Sequence, residues 1–338
     1  MKILVYDVAA EEGGAVTVLK SFYEEFCLDK RNEYIFVLSV CKLREKPHIK
    51  VLNYPWIKKS PLHRLYFDHF VAGRLVRKYS VDEVLSLQNI ELPHAGVPQT
   101  VYEHNALPFA EYKFGLTEAF RPWFSQQILG RMMKKSIRRA KKVMVQTNWM
   151  KEEIVRQCRI SEDKVEVRFP PVEMLPVKPY HPDIENPIFF YPANASAYKN
   201  HGTFLKACKI LQKKGYRNYR VVWTITGKEN ETVRSLKKEA KEKELPVLFS
   251  GPMPRKALFE LYASSVLVFP SYIETIGLPL LEARHANAWI VAADCLYARD
   301  CVGDYEKAEF FPPLDSGKLA DILIRYLEGA ELGFFHEK

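Results

Sequence analysis

In the stretch VLVFPSYIETIGLPLLEARHA, residues 266–286, Glu274 and Glu282 stand eight positions apart. The apolar run ends at Pro270, a loop carries Glu274, Thr275 and Gly277, and helical spacing resumes near Leu278. The first carboxylate then sits just ahead of a helix N-terminus and the second about one turn inside it. The backbone N–H groups of Ile276, Gly277 and Leu278 point away from the helix there, a cradle for an anion or a hydroxyl that the helix dipole reinforces. Gly277 lets a ligand approach the backbone closely. A carboxylate can accept hydrogen bonds from two vicinal hydroxyls, and the cradle suits a phosphate. A nucleotide sugar carries both groups.

Two further places could do chemistry. Gly13 and Gly14 follow the first apolar run, KILVYD, and serve equally as a tight strand-to-helix turn or as a phosphate contact. His104 lies in EHN at the end of the run QTVYE, where Glu103 and Asn105 make a polar cluster. That setting makes it a candidate to hydrogen-bond a donor sugar or an acceptor. His181 and His201 have no partner spacing and read as structural or surface residues. No Asp-x-Asp occurs to bridge a diphosphate through a metal, so metal-independent chemistry is expected. The six cysteines are scattered without a CxxC pair, which fits neither a disulfide framework nor a zinc site and points to a reducing cytosol.

The elements that must carry these residues follow a βαβ rhythm. Strand-like KILVYD, a helix over about Ala15 to Phe26 and strand-like YIFVLSV open the chain. Further strands are expected at Gln99 to Glu103, Val143 to Gln146 and Val165 to Arg168, with helices near Leu62 to Lys78, Trp123 to Arg139 and Met150 to Cys158. Prolines 170, 171, 176, 179, 182 and 187 exclude a helix or central strand between them. The rhythm restarts at PIFFYP, with helices expected from His201 to Lys214, Glu231 to Lys243 and Arg255 to Ser264. The expected organisation is a Rossmann-like domain over 1–170, a Pro-rich linker over 171–187, a second Rossmann-like domain over 188–330 and a tail over 331–338. The two domains are expected to face each other across a cleft.

Charge is uneven along the chain. Of a net +9 over 338 residues, residues 1–180 hold 29 basic and 21 acidic side chains, and the remainder 21 and 20. The excess concentrates in Arg121, Arg131, Lys134, Lys135, Arg138, Arg139, Lys141 and Lys142, with no acid between them. In the segment 124–142, Phe124, Ile128, Met132 and Ala140 recur at multiples of four beside Leu129, Met133 and Ile137. That stripe either packs on the first sheet or lets the basic face meet an anionic bilayer. No run of about 18 apolar residues is present, so any membrane contact is expected to be peripheral.

The 266–286 stretch resembles the signature of retaining glycosyltransferases of family 4, which have the GT-B fold. EEGGAV resembles that family's glycine-rich loop, VYEHNALP the strand end that presents a His to the acceptor, and VMVQTNWMKEEI the segment that usually has a serine before a helix. PANASAYKNHGTFLKA resembles the strand-loop-helix bearing a phosphate-binding lysine, here Lys199. The resemblance implies that Glu274 contacts the transferred sugar, Glu282 the ribose hydroxyls, and Lys199 the leaving diphosphate. Asn194, Gly227, Lys228 and Thr275 complete the implied donor site. Ala193-Asn194 replaces the family's usual Gly-Arg, so part of the diphosphate charge falls to Lys228 or Arg255.

The expected activity is transfer of a sugar, with retention and without metal or other cofactor, from a nucleotide diphosphate, a UDP-sugar by preference, to a saccharide acceptor. The acceptor is expected to be linked to a polyprenyl diphosphate for surface polysaccharide synthesis, with the protein cytoplasmic and peripheral on the inner face of the membrane. An epimerase acting on nucleotide sugars and a nucleic-acid-binding protein using the basic helix are the alternatives.

Overall fold

Among the described residues, runs rich in Val, Ile, Tyr and Phe form thirteen short strands, whose continuous apolar character suits sheets covered on both faces. The computed structural model describes residues 1–11, 13–183 and 185–331, so Glu12, Ile184 and all of the expected tail except Glu331 lie outside the described residues. The chain divides into two compact units, Met1–Val172 and Glu173–Lys338.

In the first unit, β1 (Lys2–Asp7), β2 (Glu33–Leu38), β3 (Ile49–Asn53), β4 (Glu83–Ser86), β5 (Gln99–Glu103), β6 (Lys142–Val145) and β7 (Val165–Val167) pair in parallel in the order 3-2-1-4-5-6-7. β1 registers with β2 at Lys2↔Glu33 and with β4 at Ile3↔Glu83. Helix α1 (Gly13–Leu28) covers one face, where Val18, Leu19, Phe22 and Phe26 pack on Val5, Phe36 and Tyr102. On the other face lie α2 (Pro61–Tyr66) and α3 (Ala72–Lys78), with Phe67 between them and Leu75 and Val76 of α3 buried against Leu4, Tyr6 and Val84.

The expected continuous helix at 62–78 holds a π-turn, Phe67–Val71, between α2 and α3. Another π-turn, Ser125–Leu129, separates α4 (Phe120–Phe124) from α5 (Gly130–Arg139). Gln126 is the buried residue of that turn. The Gln126 amide donates to the carbonyls of Leu107 and Tyr112 and accepts from Phe114 N–H at 2.9 Å, which fastens the preceding loop to the helix. Helix α6 (Asn148–Cys158) then leads to β7.

In the second unit, β8 (Ile188–Tyr191), β9 (Arg220–Trp223), β10 (Val247–Phe249), β11 (Val266–Phe269), β12 (Ile290–Ala293) and β13 (Ala308–Phe311) form a parallel sheet in the order 10-9-8-11-12-13. Its helices are α7 (His201–Lys213), α8 (Glu231–Glu242), α9 (Arg255–Tyr262), α10 (Leu278–His285), α11 (Leu296–Val302) and α12 (Ser316–Glu331). The proline-rich segment runs along this unit without regular structure. His181 N–H donates to Ala263 O at 2.8 Å, and Arg255 Nη2 to Glu173 O at 2.6 Å. Both sheets have the doubly wound Rossmann topology, in which the strand order reverses between β1 and β4 in one and between β8 and β11 in the other. Ligands of open α/β sheets bind at the carboxyl ends of the strands beside such a reversal.

Candidate functional site

The reversal in the second unit brings together the loops after β8 and β11, which carry Lys199 and Glu274. Lys199 Nζ makes an ion pair with Glu274 Oε1, and both side chains are largely buried, at 13% and 15% exposure. Ser271 Oγ, itself inaccessible, donates to the same carboxylate at 2.8 Å. The loops are tied by Tyr272 N–H to Tyr198 O at 3.0 Å, by Tyr191 O–H to Lys199 O at 2.6 Å and by Asn200 Nδ2 to Pro270 O at 3.1 Å. Burial, then the Glu274 carboxylate, holds the Tyr191 and Tyr297 phenols well above their usual range, so both remain neutral donors. Tyr297 O–H donates to Ser271 O at 2.5 Å. The outcome is a cation and an anion held by a braced scaffold, the pre-organisation that charge stabilisation in a reaction requires.

Gly277 precedes α10 with φ +81°, and a Cβ there would lie 3.2 Å from Leu280 Cδ1 and from two ring atoms of Tyr297. Glycine is therefore demanded twice, by the left-handed backbone and by the space. Ile276 is buried, while Leu278 opens the helix and is exposed. Thr275 lies between Glu274 and Ile276 in this loop. Glu282, one turn into α10, is buried and already engaged. Arg255 Nη1 pairs with its Oε1 at 2.6 Å, and Tyr262 O–H donates to its Oε2 at 2.7 Å. Arg255 thus neutralises a carboxylate of the site.

The loop after β9 carries Gly227 and Lys228. Gly227 has φ +84°, and the backbone N–H groups of Thr226, Gly227 and Lys228 converge on the carboxylate of Glu229, at 2.5, 3.0 and 2.9 Å. Partial burial raises the Glu229 pKa, but these donors and the Thr226 hydroxyl outweigh it and bring the group down to about 2. An anion cradle is present here, and an internal carboxylate fills it. Asn194 is exposed after β8, its Oδ1 accepting from Ser196 N–H at 3.0 Å.

In the first unit, Gly13 and Gly14 open α1. Gly13 has φ +63°, and a Cβ at either position would meet nothing within 4 Å. Backbone conformation, not packing, therefore calls for glycine at 13. His104 follows β5, with its N–H bonded to Asn89 Oδ1 at 2.7 Å, and burial pushes its imidazole down to about 4, so the ring is neutral at pH 7. Beside it, burial pushes Glu103 well above the usual carboxylate range, and its Oε2 has no hydrogen-bond partner among the described residues. Asp7, at the end of β1, is buried and pushed up to about 7, against hydrogen bonds from Ala10 and Ala9 N–H and the charge of Arg64.

Sequence reasoning missed Ser271, Tyr191, Tyr262, Tyr297, Glu229 and Asp7. Ser271 and Glu229 had a local signal, since each stands within three residues of a named site residue; the tyrosines are brought in by packing alone. His201 is buried between Tyr191 and Trp223, and Lys199 adds to burial in pushing it down to about 3. Among the described residues no group of three or more His, Cys, Asp or Glu side chains is arranged to hold a metal ion.

Comparison with known proteins places this geometry. Residues 178–333 match the family model described as Glycosyl transferases group 1. The O-antigen chain mannosyltransferase B of Escherichia coli is 22% identical over 289 residues, 80% of this chain and 74% of that protein. Among solved structures, the lipopolysaccharide outer core galactosyltransferase WaaB in its apo form superposes with a TM-score of 0.68 at 17% identity, covering 97% of this chain and 91% of that one. Sucrose-phosphate synthase of Thermosynechococcus elongatus gives 0.68 at 16% identity over 98% and 90% of the two chains. Anabaena HepE in complex with UDP-glucose gives 0.65 at 15% identity over 98% and 91%.

The fold is GT-B. The span that is similar to the group 1 glycosyl transferases lies in the second unit and contains Lys199, Glu274, Gly277 and Glu282.

Proposed function

We propose that this GT-B protein is a retaining glycosyltransferase of the family 4 kind, moving a sugar from a nucleotide diphosphate donor to a saccharide acceptor. The observation that carries the reading is the buried Lys199–Glu274 pair with Ser271 at the strand reversal of the unit that matches the group 1 model. Departure of the diphosphate builds negative charge on a phosphate oxygen. Lys199 offers a compact cation for that charge, and the backbone N–H groups at Gly277 add to it. Glu274 accepts hydrogen bonds from the sugar hydroxyls, while Glu282, held by Arg255 and Tyr262, faces the ribose.

In the reaction, the bond from the anomeric carbon to the diphosphate oxygen breaks. The acceptor hydroxyl bonds to the same face of that carbon and passes its proton to the departing phosphate oxygen. Neutral His104 orients a hydroxyl and takes no proton. Asn194, Lys228 and the N–H groups at Gly13 and Gly14 supply further donor contacts, those of Gly227 and Lys228 once Glu229 yields its place. No metal enters the scheme. A uridine donor is favoured by HepE, which was solved with UDP-glucose. The O-antigen and lipopolysaccharide relatives favour a lipid-linked acceptor in surface polysaccharide synthesis, and hence a peripheral, cytoplasmic place on the inner membrane face. No helix among the described residues is long and apolar enough to cross a membrane.

The test is NMR of the full chain with UDP-, GDP- and dTDP-sugars, with and without saccharide acceptors and with EDTA. Acceptor-dependent release of nucleotide, with the donor's anomeric configuration kept in the product and turnover unaffected by EDTA, is expected. Inversion at the anomeric carbon, or isomerisation of the donor without an acceptor, would refute it.

A further inference from the structure

The helices of the first unit expose apolar residues in rows. Leu62, Leu65, Tyr66 and Phe70 along α2 and its π-turn are each more than half exposed, and Tyr66 and Phe70 stack at 5.5 Å. Along α4, its π-turn and α5, Phe120, Phe124, Ile128 and Met132 form a second row, with Phe120 61% and Met132 50% exposed. The apolar stripe read in 124–142 thus splits. Met133 and Ile137 are buried against the unit, and the 120–132 row is left outside. Residues spaced by four drift about 40° per step around an α-helix. The wider π-turn inside each helix works against that drift and keeps each row on one side.

The crossovers from β3 to β4 and from β5 to β6 run the same way across the sheet, so right-handed connections put both helical segments on the same side of it. The loop after β4 touches both helices: Glu91 N–H donates to Ser136 Oγ of α5 at 3.1 Å, and Gly73 of α3 packs on the backbone of His94 so closely that a Cβ would lie 2.9 Å from the His94 carbonyl oxygen. Each row also begins near a helix start, and helices that follow strands in parallel crossovers start at the carboxyl edge of the sheet. Apart from one buried acid, charge on these segments is basic. From Pro55 to Lys78 the only acid is Asp68, buried and paired with Arg64, and from Ala119 to Lys142 there is none.

We propose that this face docks the first unit on an anionic lipid bilayer, with Tyr66, Phe70, Phe120 and Phe124 entering the headgroup boundary and the surrounding Lys and Arg meeting lipid phosphates. Exposed aromatics flanked by cations are the composition of an interfacial anchor, and attraction to anionic lipid adds to burial of the apolar rows. The inference deepens the reading of a lipid-borne acceptor: docking sets the carboxyl edge of this sheet, with Gly13 and His104, at the level where such an acceptor emerges. Not every cation of the basic helix is spare for lipid. Lys134 bonds Gln157 Oε1 at 2.8 Å and Arg138 bonds Cys158 O at 3.1 Å, so Arg121, Arg131 and Lys135 are the better reporters.

The experiment is sedimentation of the full chain with vesicles of phosphatidylglycerol and phosphatidylcholine, at low and raised salt, with no sugar present. Wild type should bind, should keep a salt-resistant fraction, and should show Trp123 emission quenched by brominated lipid, a signal absent in Trp123→Phe. Tyr66→Ser with Phe70→Ser, and Phe120→Ser with Phe124→Ser, should each weaken partition by roughly tenfold and remove the salt-resistant fraction, with unchanged melting because the side chains are exposed. Arg121→Gln, Arg131→Gln and Lys135→Gln together should abolish dependence on phosphatidylglycerol. Partition unaffected by both aromatic pairs, complete release by salt, a dimer that these variants convert to monomer, or tighter binding to RNA than to vesicles would each overturn the proposal. Sugar transfer to a soluble acceptor is measured separately, so failure to bind vesicles leaves the transferase reading standing and the reverse also holds.

Discussion

Gly277→Ala is the substitution whose effect the geometry sets most directly. At φ +81° an alanine pays the left-handed penalty of about 1–2 kcal/mol. Its Cβ also meets Leu280 Cδ1 and the Tyr297 ring at 3.2 Å, closer than ordinary contact, and neither neighbour can retreat freely. Leu280 is buried, and Tyr297 is held by its hydrogen bond to Ser271 O. Overpacking of this kind costs about 1–3 kcal/mol. Together the second unit should lose about 2–5 kcal/mol, a fall in its melting temperature of about 5–15 °C for a unit of this size. Differential scanning calorimetry reads this, with Gly14→Ala as the control. Gly14 has no left-handed backbone and no atom within 4 Å of a Cβ, so alanine there should be neutral or slightly stabilising. A melting temperature for Gly277→Ala within about 1 °C of wild type would show that the turn before α10 is neither strained nor tightly packed, and the reasoning would fall.

Removing the Lys199 cation should lower turnover by about 100-fold or more and also strand Glu274 without its partner, costing stability. Lys199→Met combined with Glu274→Gln should restore most of the melting temperature and none of the turnover; recovery of activity in the double variant would contradict a role in charge stabilisation. Glu229 has a depressed pKa in the folded state, so its contribution is present above the ordinary glutamate range and is lost as pH falls towards about 2. The melting difference between wild type and Glu229→Gln should therefore shrink between pH 5 and pH 2, and a difference that is flat with pH would refute the filled cradle. Asp7 behaves oppositely. Its folded pKa is raised to about 7, so folded protein holds a proton that the unfolded chain has released, and stability falls as pH rises from about 4 to 7. Asp7→Asn should remove that fall, gaining on wild type by a few kcal/mol across the range in denaturant titrations; a constant offset would show that the group is not buried as a neutral acid.

The sequence by itself determined the two Rossmann-like sheets and the loops that matter in the second unit. Strand periodicity placed Gln99–Glu103 to the residue, and Glu274, Gly277 and Glu282 were legible because a strand, a loop and a helix start follow one another within twenty-one residues. Strands β3, β4, β12 and β13 escaped notice; Lys50, Glu83 and Glu309 interrupt the apolar character of β3, β4 and β13. Tertiary structure alone decided which charges meet. Lys199 and Glu274 are 75 positions apart, and Arg255 and Glu282 are 27 apart. Such pairs form only because parallel crossovers return distant strand ends to the same edge of the sheet. The same holds for the exposed rows of the first unit. Spacing by four showed that the segment 124–142 was amphipathic, but the tertiary structure, with a π-turn at Ser125–Leu129 whose Gln126 is tied to the preceding loop, decided which row faces the core and which faces outward. Helix phase depends on an inserted residue, and the loop carbonyls that Gln126 of that turn bonds lie outside the helix itself.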